Sequence, residues 1–193
     1  MNTMSACVQY RVGKAMDKRI ENTYTLLQNS MRDLLGSTTW DDITIQALCE
    51  SAGVSRTTFY SHFKHKEDLL DSLLKMFEQA MLSDNNARSL ATTKTFRFLP
   101  ILLNHVNGNR KLFSKTNTET QGYPVAKRFS QLIDRLVATE VIEAHDHIAL
   151  SSTAQHFVAG GIYNALVQWS ANTNDDTHLT LLNDMDLLTK KLL

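Results

Sequence analysis

The chain has 193 residues and 20 basic against 20 acidic side chains, so it carries no formal net charge at neutral pH. That balance gives no electrostatic sign of nucleic acid or of an acidic membrane surface, and the stretch up to Lys66 is only slightly more basic than the remainder. Two prolines, seven glycines and few long runs of β-branched residues point to an all-helical protein, long enough to bury a substantial core. Cys7 and Cys49 are too few and too far apart for a disulfide framework or a CxxC metal site. No apolar run approaches the ~20 residues of a membrane span, and the first residues lack a hydrophobic signal region, so a cytoplasmic location is expected.

Residues 1–16 show no clear period and read as an arm, with Met4 or Met16 as alternative starts. Arg11, Lys14, Lys18 and Arg19 either touch phosphates or a minor groove, or simply keep a frayed tail solvated. A first helix is expected over residues 17–35, because Ile20, Tyr24, Leu27, Met31 and Leu34 recur at four- and three-residue steps; Gly36 would end it. Trp40 and Ile43 in the connection should plug the base of the core that this helix covers.

Residues 44–66 organise everything around them. Thr44 is an N-cap hydroxyl for a short helix, Ile45 to Ala52, that only packing can hold. Gly53 supplies a left-handed stop, and Ser55 caps a second helix. Leu48, Cys49, Ala52, Val54 and Phe59 fall where two crossing helices touch, which makes Cys49 a core residue rather than a redox sensor. Arg56, Thr57, Tyr60 and His62 point outward and can hydrogen-bond or stack, as a helix reading the major groove must. Arg56 is the expected base contact, since its fork matches guanine O6 and N7; Thr57 and Thr58 suit a thymine methyl or a phosphate, and Gln46 an adjacent base. Thr44, Tyr60, His62, Lys64 and Lys66 are expected to position phosphates, and Ser55 completes the DNA-facing set.

The positions Gly53, Val54, Thr58, Phe59, Tyr60, His62, Phe63, Lys66, Leu69 and Leu70 resemble, in register, the signature of the TetR family of bacterial transcriptional regulators. The resemblance covers about Ile20 to Leu74; beyond it the chain is similar only in length and helical character. It implies a three-helix DNA-binding domain with a helix-turn-helix, followed by a helical ligand-binding and dimerisation bundle, about nine helices in all.

After the basic corner at residues 62–66, Glu67 and Asp68 open a helix with an apolar face of Leu69, Leu70, Leu73, Leu74, Phe77 and Met81. This places a DNA-binding domain at 17–66, a connecting helix and polar linker at 67–89, and a second domain at 90–193. Further helices are expected over 95–106, 109–115, 125–144, 147–171 and 177–193. Pro100 either starts the first of these or kinks it, leaving the Phe96 carbonyl without its donor and open to a ligand; His105 either lines a pocket or is a satisfied core residue. On the last two helices Phe157, Gly161, Ile162, Ala165 and Trp169, with Leu181, Met185 and Leu188, form stripes suited to a partner. The resemblance implies that these helices build a four-helix bundle with a two-fold mate.

No HExxH, CxxC, GxSxG, Walker or GxGxxG pattern occurs, and no nucleophile–base pair can be assigned, so neither catalysis nor a cofactor is expected. His145-x-His147 is a two-ligand fragment that reads better as a solvated or capping pair. The expected function is a homodimeric, sequence-specific DNA-binding regulator of a palindromic operator. The resemblance implies a repressor released by a small molecule. The alternative is a helical dimer for protein or small-molecule binding with a vestigial DNA surface.

Overall fold

The computed structural model describes residues 18–83, 96–118, 123–144, 151–172 and 178–192. The arm, the polar stretch after Ser83 and the His145/His147 pair lie outside the described residues. All regular structure among the described residues is helical: α1 (Lys18–Ser37), α2 (Ile45–Ala52), α3 (Arg56–His62), α4 (Lys66–Ser83), α5 (Phe98–Gly108), α6 (Arg110–Thr118), α7 (Tyr123–Ala144), α8 (Ser152–Ala171) and α9 (His178–Leu192). They fall into two compact units divided between Ala80 and Met81, in the last turn of α4.

In the first unit Leu27 and Met31 of the expected α1 stripe are buried while Ile20, Tyr24 and Leu34 are half-buried, and Leu35, outside that stripe, is buried; so are Leu48, Cys49 and Ala52 of α2 and Phe59 of α3. Each fully buried leucine or phenylalanine contributes ~1.5–3 kcal/mol over leaving it in water. Trp40 and Ile43 are buried as well. Two polar side chains fix the register of this core: buried Ser30 donates to the Leu48 carbonyl at 3.0 Å, and Gln28 Nε2 donates to Ser72 Oγ at 3.0 Å. Gly36 does not stop α1. The helix runs through it to Ser37, whose Oγ turns back on the Asp33 and Leu34 carbonyls at 3.1 and 3.3 Å and so satisfies the helix end without a left-handed residue.

In the second unit α8 packs against α5, α6, α7 and α9. Its Val158, Ala159, Ile162 and Leu166 are buried, as are Leu99, Leu102, Leu103 and Val106 of α5 and Leu132, Ile133, Leu136 and Val137 of α7. Pro100 is the third residue of α5, where its missing N–H removes no helical bond, so there is no kink to explain. The gap anticipated at Phe96 is closed, since its carbonyl accepts the Leu99 N–H at 3.4 Å and its ring is buried beside Phe98. Buried Glu140 accepts the Arg97 N–H at 2.6 Å, with Arg97 Nε 3.6 Å from its other oxygen. His105 is half-buried on α5, and its carbonyl accepts the Asn109 amide at 2.9 Å.

The apolar stripe expected to meet a partner is divided by the packing. Ile162, Trp169 and Met185 are buried within the protomer, and Ala165 and Leu181 are half-buried. Phe157 is 68% exposed and Leu188 59%, with Gly161 exposed between the ends of the stripe. The division has a simple cause: α8 packs against four helices of its own chain, which take up much of its apolar side-chain surface.

Candidate nucleic-acid interface

The interface is assembled from caps. Thr44 has extended backbone and its Oγ1 accepts the Ala47 N–H at 3.1 Å, which satisfies an orphan donor in the first turn of α2. At the other end Gly53 adopts φ 67° and its N–H reaches the Cys49 and Glu50 carbonyls. A side chain at that φ would cost ~1–2 kcal/mol. Val54 N–H then bonds the Cys49 carbonyl at 3.0 Å, which turns the chain sharply into Ser55. Ser55 Oγ accepts the Thr58 N–H at 3.0 Å and lies 2.8 Å from Thr58 Oγ1. The three caps hold α2 and α3 against each other over Phe59, which is fully buried.

What remains outward is polar. Thr44, Gln46, Ser55, Arg56, Thr57 and Lys64 are exposed, Tyr60 is 50% exposed, and Thr58 and His62 are half-buried. Two aromatics are braced from behind: the Tyr60 ring stands edge-on to Phe59 at 5.6 Å, and His62 edge-on to Tyr24 at 5.4 Å. Arg56 and Thr57 occupy the first turn of α3, the part of a reading helix that reaches base edges. Beneath them burial pushes the Cys49 thiol up; the Arg56 charge opposes that rise and the Glu50 carboxylate adds to it. Thr58 is half-buried, with its hydroxyl engaged by Ser55.

The corner after α3 is fixed by Asp68, whose Oδ2 accepts the Lys64 N–H at 2.9 Å and the His65 N–H at 3.0 Å. The bond from His65 is the largest of several influences that hold the Asp68 carboxyl below its ordinary range. Lys64 is thereby presented to solvent at a rigid turn. Lys66 is different. Its Nζ donates to the Trp40 carbonyl at 2.6 Å and the Ile43 carbonyl at 2.9 Å, and lies 4.5 Å from the centre of the Trp40 ring. An ammonium has three donors, and two of them are turned to the core, so Lys66 braces the interface from within and does not stand on its outer face. Position at the amino end of a helix suggested a phosphate anchor; the partners, 23 and 26 residues upstream, gave no local signal. Glu50 was not singled out by motif reading, yet it accepts a hydrogen bond from Gln46 Nε2 at 2.8 Å. The four-residue spacing was the available clue.

Residues 32–73, which hold all of these caps, match the family model of bacterial regulatory proteins of the tetR family. This is a TetR-type helix-turn-helix. The fold beyond it is of TetR type as well. A TetR transcriptional regulator from Streptococcus agalactiae 2603V superposes with a TM-score of 0.64 at 21% identity, covering 90% of this chain and 96% of that one. A TetR-family regulator from Syntrophomonas wolfei gives 0.63 at 16% identity, over 89% and 95% of the two chains. The transcriptional regulator FadR from Bacillus subtilis, in complex with stearoyl-CoA, gives 0.57 at 18% identity, over 88% and 99%. No curated protein matches the chain. Among the described residues no helix is long and apolar enough to cross a membrane, and no group of His, Cys, Asp and Glu is arranged to hold a metal ion.

Proposed function

We propose that the protein is a homodimeric transcriptional regulator that reads a palindromic operator with α3 and is a repressor released by a small molecule bound in its second unit. The observation that carries this reading is the outward face of α3, where Arg56, Thr57 and Tyr60 stand exposed on a helix whose first turn is capped by the Ser55 side chain and whose end is closed by the Phe63 N–H on the Phe59 carbonyl. Arg56 reads guanine, Thr57 and Thr58 contact a neighbouring base or phosphate, and Gln46 reaches an adjacent pair. Thr44, Tyr60, His62 and Lys64 hold phosphates, while Ser55 keeps the helix in register. The DNA-binding domain is residues 17–66, and residues 90–193 serve ligand binding and dimerisation.

The dimer contact is supported by an exposed lane on α8 and α9. Phe157, Leu187 and Leu188 are exposed there, and a side chain added at Gly160 or Gly161 would meet nothing within 4 Å, which leaves room for a helix of a second copy. The interface is thus shifted from Ile162 and Trp169 towards Phe157, Gly161 and Leu188. The effector class is open to trial, and because the Bacillus subtilis neighbour holds stearoyl-CoA, a long-chain acyl-CoA is the first compound to test.

The deciding experiment is a gel shift and footprint of the full chain on the promoter nearest its own gene, across a salt series. A symmetric footprint is expected. Arg56→Ala should bring operator affinity down towards that for random DNA, and Lys64→Ala should weaken both about equally while lowering the salt slope by ~0.9 per phosphate contact. Phe157→Glu combined with Leu188→Glu should give monomers by sedimentation and lose operator binding together. A wild-type chain that binds all duplexes equally, or an Arg56→Ala chain that keeps its operator-to-random ratio, refutes the reading.

A further inference from the structure

Glu50 is an exposed carboxylate on α2, within the surface proposed to meet DNA, where phosphates repel it. A hydrogen bond to its own helix gives it a task there. Gln46 Nε2 donates to Glu50 Oε1 at 2.8 Å, one helical turn away. A carboxylate only accepts, so the glutamine must face it with the amide nitrogen and turn its oxygen away; the opposite flip would set two oxygens against each other. An exposed glutamine without such a neighbour turns its amide over freely and can show either a donor or an acceptor at its outer edge. The backbone beneath is equally fixed, because the Thr44 cap holds the N–H of Ala47, the very next residue.

We propose that Glu50 is a positioning residue that fixes the flip of the Gln46 amide, so that Gln46 reads adenine and rejects guanine. In the major groove adenine sets its N6 donor beside the N7 acceptor, whereas guanine offers two acceptors, O6 and N7. With the nitrogen tied to Glu50, the side of Gln46 turned away from it shows the carbonyl oxygen as a single acceptor. That oxygen accepts from adenine N6, but against guanine it meets the O6 oxygen, which only the opposite flip would satisfy. The inference rests on the DNA-binding reading above and adds to it the base that one side chain selects.

The test begins with selection of sites by the full-length wild-type chain from randomised duplexes. Gln46→Ala identifies the relevant base pair as the one whose preference it erases. At that pair the wild-type chain should favour adenine over guanine by about tenfold in Kd, the scale of one acceptor left facing another. Replacing the adenine by unsubstituted purine, which lacks the N6 amino group, should weaken the wild-type chain and leave Gln46→Ala unaffected. Glu50→Gln, which can donate as well as accept, should release the flip, so the adenine-to-guanine ratio falls towards unity while preferences at all other pairs persist. Loss of the charge should also strengthen binding to every duplex alike, and a merely electrostatic role would produce that uniform gain alone. The double variant Gln46→Ala, Glu50→Gln should match Gln46→Ala at the identified pair. An unchanged ratio in Glu50→Gln, or a wild-type preference for guanine there, overturns the inference while leaving the DNA reading intact. If the wild-type chain selects no site, the DNA reading fails and this inference fails with it.

Discussion

The two units are stapled by the same device, built from unrelated pieces of chain. In the first, Lys66 is the opening residue of α4; its Nζ bridges the carbonyls of Trp40 and Ile43 and sits over the Trp40 ring. In the second, Arg110 is the opening residue of α6; its Nη2 bridges the carbonyls of Trp169 and Asn172 at 2.7 and 2.8 Å, with its Cζ 4.3 Å from the Trp169 ring centre. The receiving turns agree in detail, because the N–H of Ile43 bonds the Trp40 carbonyl at 3.3 Å and that of Asn172 bonds the Trp169 carbonyl at the same distance. A tryptophan and the third residue after it thus offer a ring and two carbonyls to a distant cation. The difference is water. Trp40 and Ile43 are both buried, whereas Asn172 is exposed. The same hydrogen bonds should therefore matter more in the first unit, since a buried carbonyl stripped of its donor has no replacement.

That contrast can be broken in three ways. Lys66→Ala should cost about 2–3 kcal/mol, from two charge-assisted bonds and a cation–ring contact, read as a shift in urea midpoint by far-UV circular dichroism. A loss below that of Arg110→Ala would reverse the comparison. Lys66→Arg keeps the charge but drives a wide planar fork into a half-buried site, for an expected loss of about 1–2 kcal/mol. If thermal melts put this variant at wild-type stability, the site is roomier than the bond lengths imply. Arg110→Ala should cost about 1 kcal/mol, as water reaches the Asn172 carbonyl once the guanidinium is gone. Hydrogen exchange that found the end of α8 no less protected in this variant would mean that the arginine holds nothing.

The smallest effect concerns the corner beside the first staple. The Asp68 carboxyl is held below its ordinary range chiefly by the His65 N–H, so in acid the unfolded chain binds the proton more readily than the folded one. Stability from this group is present above the ordinary carboxylate range and is lost as pH falls through the lowered folded value. Asp68→Asn keeps an acceptor but removes the titration, and should flatten the acid limb of a plot of urea midpoint against pH. An unchanged limb would assign the acid sensitivity to other carboxylates.

These staples also mark the limit of what the sequence disclosed. The helix-turn-helix was legible because its determinants are local: Thr44, Gly53 and Ser55 each act on backbone within four residues, and the structure finds all three caps where expected. Gly36 misled for the complementary reason. A glycine permits a left-handed stop without compelling one, and Ser37 offered the chain end another partner. Lys66 misled because helix-end position argues for an outside ligand, while its true partners arrive from across the fold. The α8 stripe of Phe157, Ile162 and Trp169 was read as one surface because period alone marks an apolar face and cannot say which neighbour takes it. Its outer remainder, with the two glycines, emerged only once the protomer's own packing was seen.

Trp40 and Trp169 are the only tryptophans in the chain, and one falls in each compact unit. Each indole has a cation close over its ring, at 4.5 Å for the lysine and 4.3 Å for the arginine. The molecule therefore carries two native optical labels, one for each half, placed where a local change in packing moves a nearby charge. In a Trp169→Phe chain the remaining emission follows the first unit alone, and in a Trp40→Phe chain it follows the second. Titrating each with operator duplex and then with candidate effectors would time the two halves separately, without attaching a dye to either.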